Sequence, residues 1–514
     1  MVGQEPLHRR RKKHTRSRTG CVPCRERHVR CDETRPGCAN CMRISRECQY
    51  PDWGQDIVDR ATKTKLPGVQ APWQMGPVMA LATVAVADPF DTLPIEMPFR
   101  SMELLRYFFT TKAASVQGGP TEKTKIGLSM ITNDPIVCRS TVVFAGLHYA
   151  GSYGGLHALA TSFFHHKLQC ISDIKGWVSN SEKRITPDCL RLIGTLCISE
   201  ICLGNISTAT AQVAGLVTLA KLRKNQKIQE NALENELLER YTLMIQCLVE
   251  LKREMALAFA GMPHASDEGV DQSLLGNKAV LDILRLLPYF VNVKISAKPR
   301  PINVNRIIKS LRAITLLLTA PMTFTGAGPP DIYHAGELIT SMTLASTDLH
   351  IQSVSEKDEG EADPPGSVVS SWKGMCAASI LYVIEGPLTG QRAGMPTQLD
   401  TLSYLFRILR KDLDSTMLQL EDGKYNRDLW LWKAFGSFLA MAKAQKAYPR
   451  SHASFGAIQR LKDMACYRVK WWTQVTQTTE WERVEEALYR VVWGDGIPEE
   501  EARKLWKEVL RDGQ

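Results

Sequence analysis

Six of the chain's fourteen cysteines fall between residues 21 and 48: Cys21, Cys24, Cys31, Cys38, Cys41 and Cys48. Their spacing, C-x2-C-x6-C-x6-C-x2-C-x6-C, is periodic, because a shift of seventeen carries the first three onto the last three. The segment is an internal duplication, so whatever it binds is held with approximate twofold symmetry. Thiolates suit zinc, and a structural zinc takes four ligands in a tetrahedron. Six thiolates are too many for one zinc and too few for two separate four-cysteine sites. Two zincs that share two bridging thiolates fill every coordination place and leave no ligand idle. No place then stays open for a substrate, so such metals would be structural. An iron–sulfur cluster would need another spacing and would leave ligands over.

The charge distribution points to what such a centre would meet. The formal net charge is +10 over 514 residues. Residues 1–50 hold thirteen Lys and Arg against five Asp and Glu, so +8 of that excess sits in a tenth of the chain. A concentrated positive field is the footprint of a polyanion, most often nucleic acid. The start of the chain lacks the apolar stretch of a secretory signal. The longest apolar run, "VMALATVAVA" at 78–87, is about half a bilayer span. An intracellular, membrane-free protein is expected, in which clustered thiols bind metal and do not pair as disulfides.

The stretch "TGCVPCRERHVRCDETRPGCANCMRISRECQY" closely resembles the DNA-binding domain of the fungal zinc binuclear cluster (Zn2Cys6) transcription factors. All six cysteines match, as do the Arg after the second, the basic residue before "CD" and the Pro two before the fourth. The resemblance implies two structural zinc ions per chain, with Cys21 and Cys38 bridging. Cys24 and Cys31 would complete one site, Cys41 and Cys48 the other. It also implies double-stranded DNA as partner, a nuclear location and CGG-like half-sites.

Each half of the repeat reads as a short helix and an extended strip. Pro23 and Cys24 open the first helix, where an early proline costs little. Along it Glu26 and Arg30 are placed to support each other. Arg25 shares a face with His28, and Arg27 with Arg30, leaving Val29 for packing. This helix is expected in the major groove, where basic side chains donate to guanine O6 and N7. His28 stands where many family members have lysine, and it donates over a shorter reach with a pH-dependent charge. In the second half, Arg43 and Arg46 are expected to touch phosphates. Upstream, "HRRRKKHTRSR" at 8–18 offers Arg16 and Arg18 for phosphate contacts. Arg9, Arg10, Arg11, Lys12 and Lys13 read as a nuclear import signal.

The elements around this module follow from composition and periodicity. Residues 1–20 form a basic arm, 21–50 the metal module, and 51–99 a disordered linker rich in Pro, Gly and Ala. The linker carries no heptad repeat, so a zipper-type homodimer has nothing there to rest on. Residues 100–514 read as one all-α domain, similar in layout to the fungal-specific regulatory domain often paired with such modules. Helical patterns occupy 101–114 and 134–151. The clearest spans 226–259, where Leu237, Tyr241, Met244, Leu248, Leu251 and Met255 alternate steps of four and three and are expected in the domain's own core. "SEKDEGEADPPG" at 355–366 reads as an exposed acidic loop, and "GAGPPD" at 326–331 as a turn.

The fold class is therefore mainly α: a small two-helix metal module, a linker and a large helical domain. Cys138, Cys170, Cys189, Cys197, Cys202, Cys247, Cys376 and Cys466 form no metal-ligand pairs and read as core. His165 and His166 are adjacent, a poor spacing for two ligands on one helical face. The late tryptophans read as packing between terminal helices. No nucleophile–base constellation stands out, so no enzyme is expected. The chain reads as a regulator of transcription of RNA polymerase II genes, its helical domain working through the transcription machinery or co-regulators. Two rivals remain: a zinc knot that binds proteins as a cofactor or scaffold, and an enzyme tethered to DNA.

Overall fold

The computed structural model describes residues 21–49 except 28, 30, 33, 35 and 36, and residues 93–115, 131–179, 185–225, 232–259, 299–319, 332–354, 364–385, 399–494 and 499–511. The chain divides into two compact units, Met1–Ala71 and Pro72–Gln514. The first holds α1 (Val22–Glu26) and α2 (Ala39–Met42). The fold is mainly α, as the sequence leads one to expect.

The second unit begins its packing before its first helix, since Ile95 is buried and Leu93 and Met97 lie against the core. It then runs through α3 (Ser101–Ser115), α4 (Pro135–Tyr153), α5 (Ala160–Val178), α6 (Pro187–Cys202), α7 (Ile206–Asn225) and α8 (Ala232–Phe259). After these come α9 (Asn305–Thr319), α10 (Ile332–Val354), α11 (Trp372–Glu385), α12 (Leu399–Glu421) and α13 (Arg427–Ala447). The last three are α14 (Phe455–Thr476), α15 (Trp481–Val491) and α16 (Glu499–Arg511). Two short strands, β1 (Ile302–Asn303) and β2 (Val369–Ser370), pair antiparallel with Ile302 opposite Ser370.

Local chemistry sets the helix ends. Asp134 accepts hydrogen bonds from the amides of Ile136 at 2.8 Å and Val137 at 3.1 Å, and Pro135 occupies the first turn of α4. The same helix ends at Gly154, whose φ of 72° lies in the left-handed region that glycine enters without strain. Asn426 caps α13 by accepting from the Leu429 amide at 2.8 Å.

Sequential helices pack on one another, and α8 and α11 join the runs. Helix α8 touches α6, α7, α10 and α11, while α11 also contacts α12 and α13. The heptad-like residues Leu237, Tyr241, Met244, Leu248, Leu251 and Met255 are all buried there. They belong to the chain's own core, and the four-three spacing serves packing inside one molecule. Helix α11 is buried on nearly every side, as its apolar composition requires. At the far end α16 buries Ala502, Leu505, Trp506 and Val509 on one stripe.

The tryptophans behave as expected: Trp430, Trp432, Trp472, Trp481, Trp493 and Trp506 are buried, and Phe435 is ringed by Trp481, Trp493 and Trp506. All eight cysteines of this unit are buried, and none is in a disulfide. His166 lies in the core and its Nε2 is 2.9 Å from Ser101 Oγ, so the His165–His166 pair forms no ligand set. Of the expected acidic loop, residues 355–363 lie outside the described residues, and Pro364, Pro365 and Gly366 are exposed. Residues 51–92 and the "GAGPPD" turn also lie outside the described residues.

Candidate metal centre and nucleic-acid interface

Each half of the duplication places a short helix directly after its leading cysteine. Cys38 caps α2, its sulfur accepting from the Cys41 amide at 3.3 Å. The Cys24 amide makes the matching bond to the Cys21 sulfur. The amide of Cys38 in turn donates to Cys48 Sγ at 3.3 Å. These bonds help orient the sulfurs toward one another.

The first residue of each helix also has an orphan amide to satisfy. The Ala39 amide is taken by the Asp32 carboxylate, at 3.1 and 3.2 Å from its two oxygens. The Val22 amide, seventeen residues earlier, donates to the Gln49 carbonyl at 2.8 Å. Asp32 and Gln49 are related by the same shift of seventeen, so one contact is made twice, once by a side chain and once by the main chain. The Thr34 hydroxyl and the Ala39 amide hold the Asp32 carboxyl below its usual pKa.

The sulfurs converge. Cys21 lies 3.7 Å from Cys38 and 3.6 Å from Cys41, and Cys31 lies 3.8 Å from Cys21. Cys24 is 3.5 Å from Cys38 and 3.9 Å from Cys41. Two groups of four emerge, Cys21-Cys24-Cys31-Cys38 and Cys21-Cys38-Cys41-Cys48, each with all its sulfurs within 4.8 Å of one another. Cys21 and Cys38 belong to both. A tetrahedron with Zn–S bonds of 2.3 Å has edges of about 3.8 Å. The thiols fit a pair of zinc ions with two shared ligands.

Helix α1 stops at Glu26, short of the reach to Arg30 expected from the sequence. The reason is geometric. A helix continued from Cys21 to Cys31 would separate the two by about 15 Å along its axis, whereas the turn after Glu26 keeps their sulfurs 3.8 Å apart. Glu26 meets Arg46 at 3.8 Å, an exposed pair of little energetic weight, while the expected partner Arg30 lies outside the described residues. Val29 is exposed and does not pack, and Val22, Met42 and Ile44 are exposed with it. Among the described residues, the core of this unit is made of cysteine side chains alone. Burial pushes the Cys38 thiol up to about 12 and the Cys21 thiol higher still, and a bound cation would displace these protons.

The basic residues separate. Arg43 is exposed. Arg27 is half-buried and turned inward: its Nε donates to the Pro23 carbonyl at 3.1 Å, and Nη2 lies 3.8 Å from Cys24 Sγ and 3.9 Å from Cys41 Sγ. Arg25 lies in α1, but its side chain falls outside the described residues, as do His28, Arg30, Arg16, Arg18 and the run Arg9–Lys13. Sequence reasoning missed Asp32, and it placed Arg27 among the DNA-facing residues without its inward turn. Asp32 had a signal, since the repeat breaks there with Gln49 at the equivalent position. Among the described residues, the groups able to hold a metal all lie within this unit. No helix among them is long and apolar enough to cross a membrane.

Comparison with known proteins agrees with this geometry. Residues 19–55 match the fungal Zn(2)-Cys(6) binuclear cluster domain. Transcription factor lfc1 of Flammulina velutipes is 51% identical over 49 residues, covering 10% of this chain and 17% of that protein. Transcriptional regulatory protein moc3 of Schizosaccharomyces pombe is 53% identical over 38 residues, covering 7% of this chain and 8% of that protein. Transcriptional regulatory protein UME6 of Saccharomyces cerevisiae is 44% identical over 52 residues, covering 10% and 6%. The chain thus spans less than a fifth of the length of these relatives. No solved structure matches. With six thiols set for two shared metals inside the matched segment, the chain carries a fungal Zn(2)-Cys(6) binuclear cluster domain, and its metal is zinc.

Proposed function

We propose that the chain is a nuclear, zinc-dependent regulator of RNA polymerase II transcription that binds specific DNA sequences. The observation that carries this reading is the pair of four-sulfur groups sharing Cys21 and Cys38 within the matched domain. Cys24 and Cys31 complete one zinc site, Cys41 and Cys48 the other. Bound zinc supplies the cross-link that holds this small unit together. Arg25, His28 and Arg30 then face a CGG-like half-site, while Arg43 and the arm residues Arg16 and Arg18 contact phosphates. The run Arg9, Arg10, Arg11, Lys12 and Lys13 serves nuclear import. The helical unit acts as the fungal-type regulatory domain and engages co-regulators.

Selection of full-length, zinc-loaded protein against random duplex DNA tests this. Two CGG-like triplets at fixed spacing would mean a sequence-reading homodimer, and one triplet a monomer. No enrichment, with no steep salt dependence, would overturn the reading. It would favour a zinc knot that binds proteins, which the exposed Val22, Val29, Met42 and Ile44 support.

A further inference from the structure

Arg27 occupies a singular place in the duplication. Its hydrogen bond to the Pro23 carbonyl, one turn back at 3.1 Å, aims the guanidinium at the sulfurs. From there Nη2 sits 3.8 Å from Cys24 and 3.9 Å from Cys41, one cysteine from each repeat. Cys24 belongs to the first four-sulfur group alone and Cys41 to the second alone. The two sulfurs are 3.9 Å apart, so a single cation faces both groups where they meet. The position equivalent to Arg27 in the second half is Ile44, which is exposed. Among the described residues, one guanidinium therefore faces the sulfurs of both repeats.

Two divalent cations and six thiolates leave a net charge of about −2 on the cluster, concentrated on sulfur. Arginine stays charged at any pH the protein meets, and its planar fork can address two acceptors at once. We propose that Arg27 is a positioning residue that supplies the counter-charge to Cys24 and Cys41 and so retains the metals. This rests on the zinc reading above. A guanidinium aimed at sulfur does not offer its fork to guanine, so Arg27 drops out of the groove-reading set.

The test uses the full-length, zinc-loaded chain and a competing chromogenic chelator. Arg27→Gln is expected to lower zinc affinity by about 10- to 100-fold, the usual cost of removing an outer-shell partner. Arg27→Lys, which keeps the charge, should recover most of that loss. Arg46→Gln, which removes an equal charge from the exposed surface, should retain zinc as the parent does. In cobalt-loaded protein Arg27→Gln should also move the sulfur-to-cobalt charge-transfer band to lower energy, because the sulfur donors lose a stabilising cation. Unchanged zinc affinity and an unmoved band would overturn the proposal. A salt slope of DNA binding reduced by about 1 would then assign Arg27 to a phosphate. A parent chain that binds no zinc would overturn both readings, whereas two zincs with an inert Arg27→Gln would overturn this one alone.

Discussion

Asp32 holds the Ala39 amide with both carboxylate oxygens, at 3.1 and 3.2 Å, across seven residues of chain. Its counterpart in the first half is the Gln49 carbonyl on the Val22 amide, at 2.8 Å. The two contacts tie each helix start to the end of a cysteine strip, so the leading cysteines Cys21 and Cys38 arrive side by side, 3.7 Å apart.

Zinc removal should unfold one unit and spare the other. Among the described residues, the metal module has a core of cysteines alone, while the helical unit has an apolar core that runs from Ile95 to Val509. Hydrogen exchange followed by mass spectrometry should show peptides from 21–49 losing protection on chelation, with those from 131–511 unchanged. Protection retained in 21–49 without metal would contradict this.

Shared and unshared cysteines should differ in zinc stoichiometry. Cys21 belongs to both four-sulfur groups, whereas Cys48 belongs to one and is the least buried of the six. Cys21→Ser should abolish the binding of both metals, and Cys48→Ser should leave about one per chain. Elemental analysis of the purified variants decides it.

The helical unit should lose stability in mild acid through His166. Burial first, then the neighbouring charges of His165 and Arg139, press its pKa down to about 4. The unfolded chain takes up this proton near pH 6.5 and the folded one only near 4. The contribution is therefore whole above 6.5 and falls away as the pH drops toward 4, by at most about 3 kcal/mol. Urea titrations at pH 7 and 4.5 should show a shallower pH dependence in His166→Gln than in the parent.

Lys433 and Asp412 should prove costly to separate. Lys433 Nζ is fully buried, 2.6 Å from Asp412 Oδ2, 2.6 Å from Ser370 Oγ and 3.1 Å from the Tyr425 hydroxyl. Ser371 donates to the same carboxylate, and Gly374 leaves it room, since a Cβ there would lie 2.1 Å from Asp412. Lys433→Met should destabilise the unit by about 3–5 kcal/mol, and adding Asp412→Leu should restore part of the loss. Denaturant midpoints of the two variants measure both effects.

What could be read in advance follows from where the information lies. Spacing alone carries the metal stoichiometry, because coordination number is a property of zinc and sulfur and not of the fold. Periodicity carries α8, whose four-three pattern of Leu237 through Met255 is a local consequence of 3.6 residues per turn. The caps Asp134-Pro135 and Gly154 were equally local. Three features could not be read so. The early end of α1 depends on bringing Cys31 back to Cys21, a distance no helical propensity encodes. The inward turn of Arg27 depends on the sulfurs of Cys24 and Cys41, which two halves of the chain supply together. The Lys433–Asp412 pair joins residues that look solvent-facing by type and meet only because α12 and α13 close over β2. The sequence by itself determined the six ligands, the charge of the first fifty residues and the helical character of the rest, since ligand count, charge and period are local. Which cation guards the sulfurs and which charges are buried was left to the tertiary structure, because burial and electrostatic partnership arise only when distant segments exclude water between them.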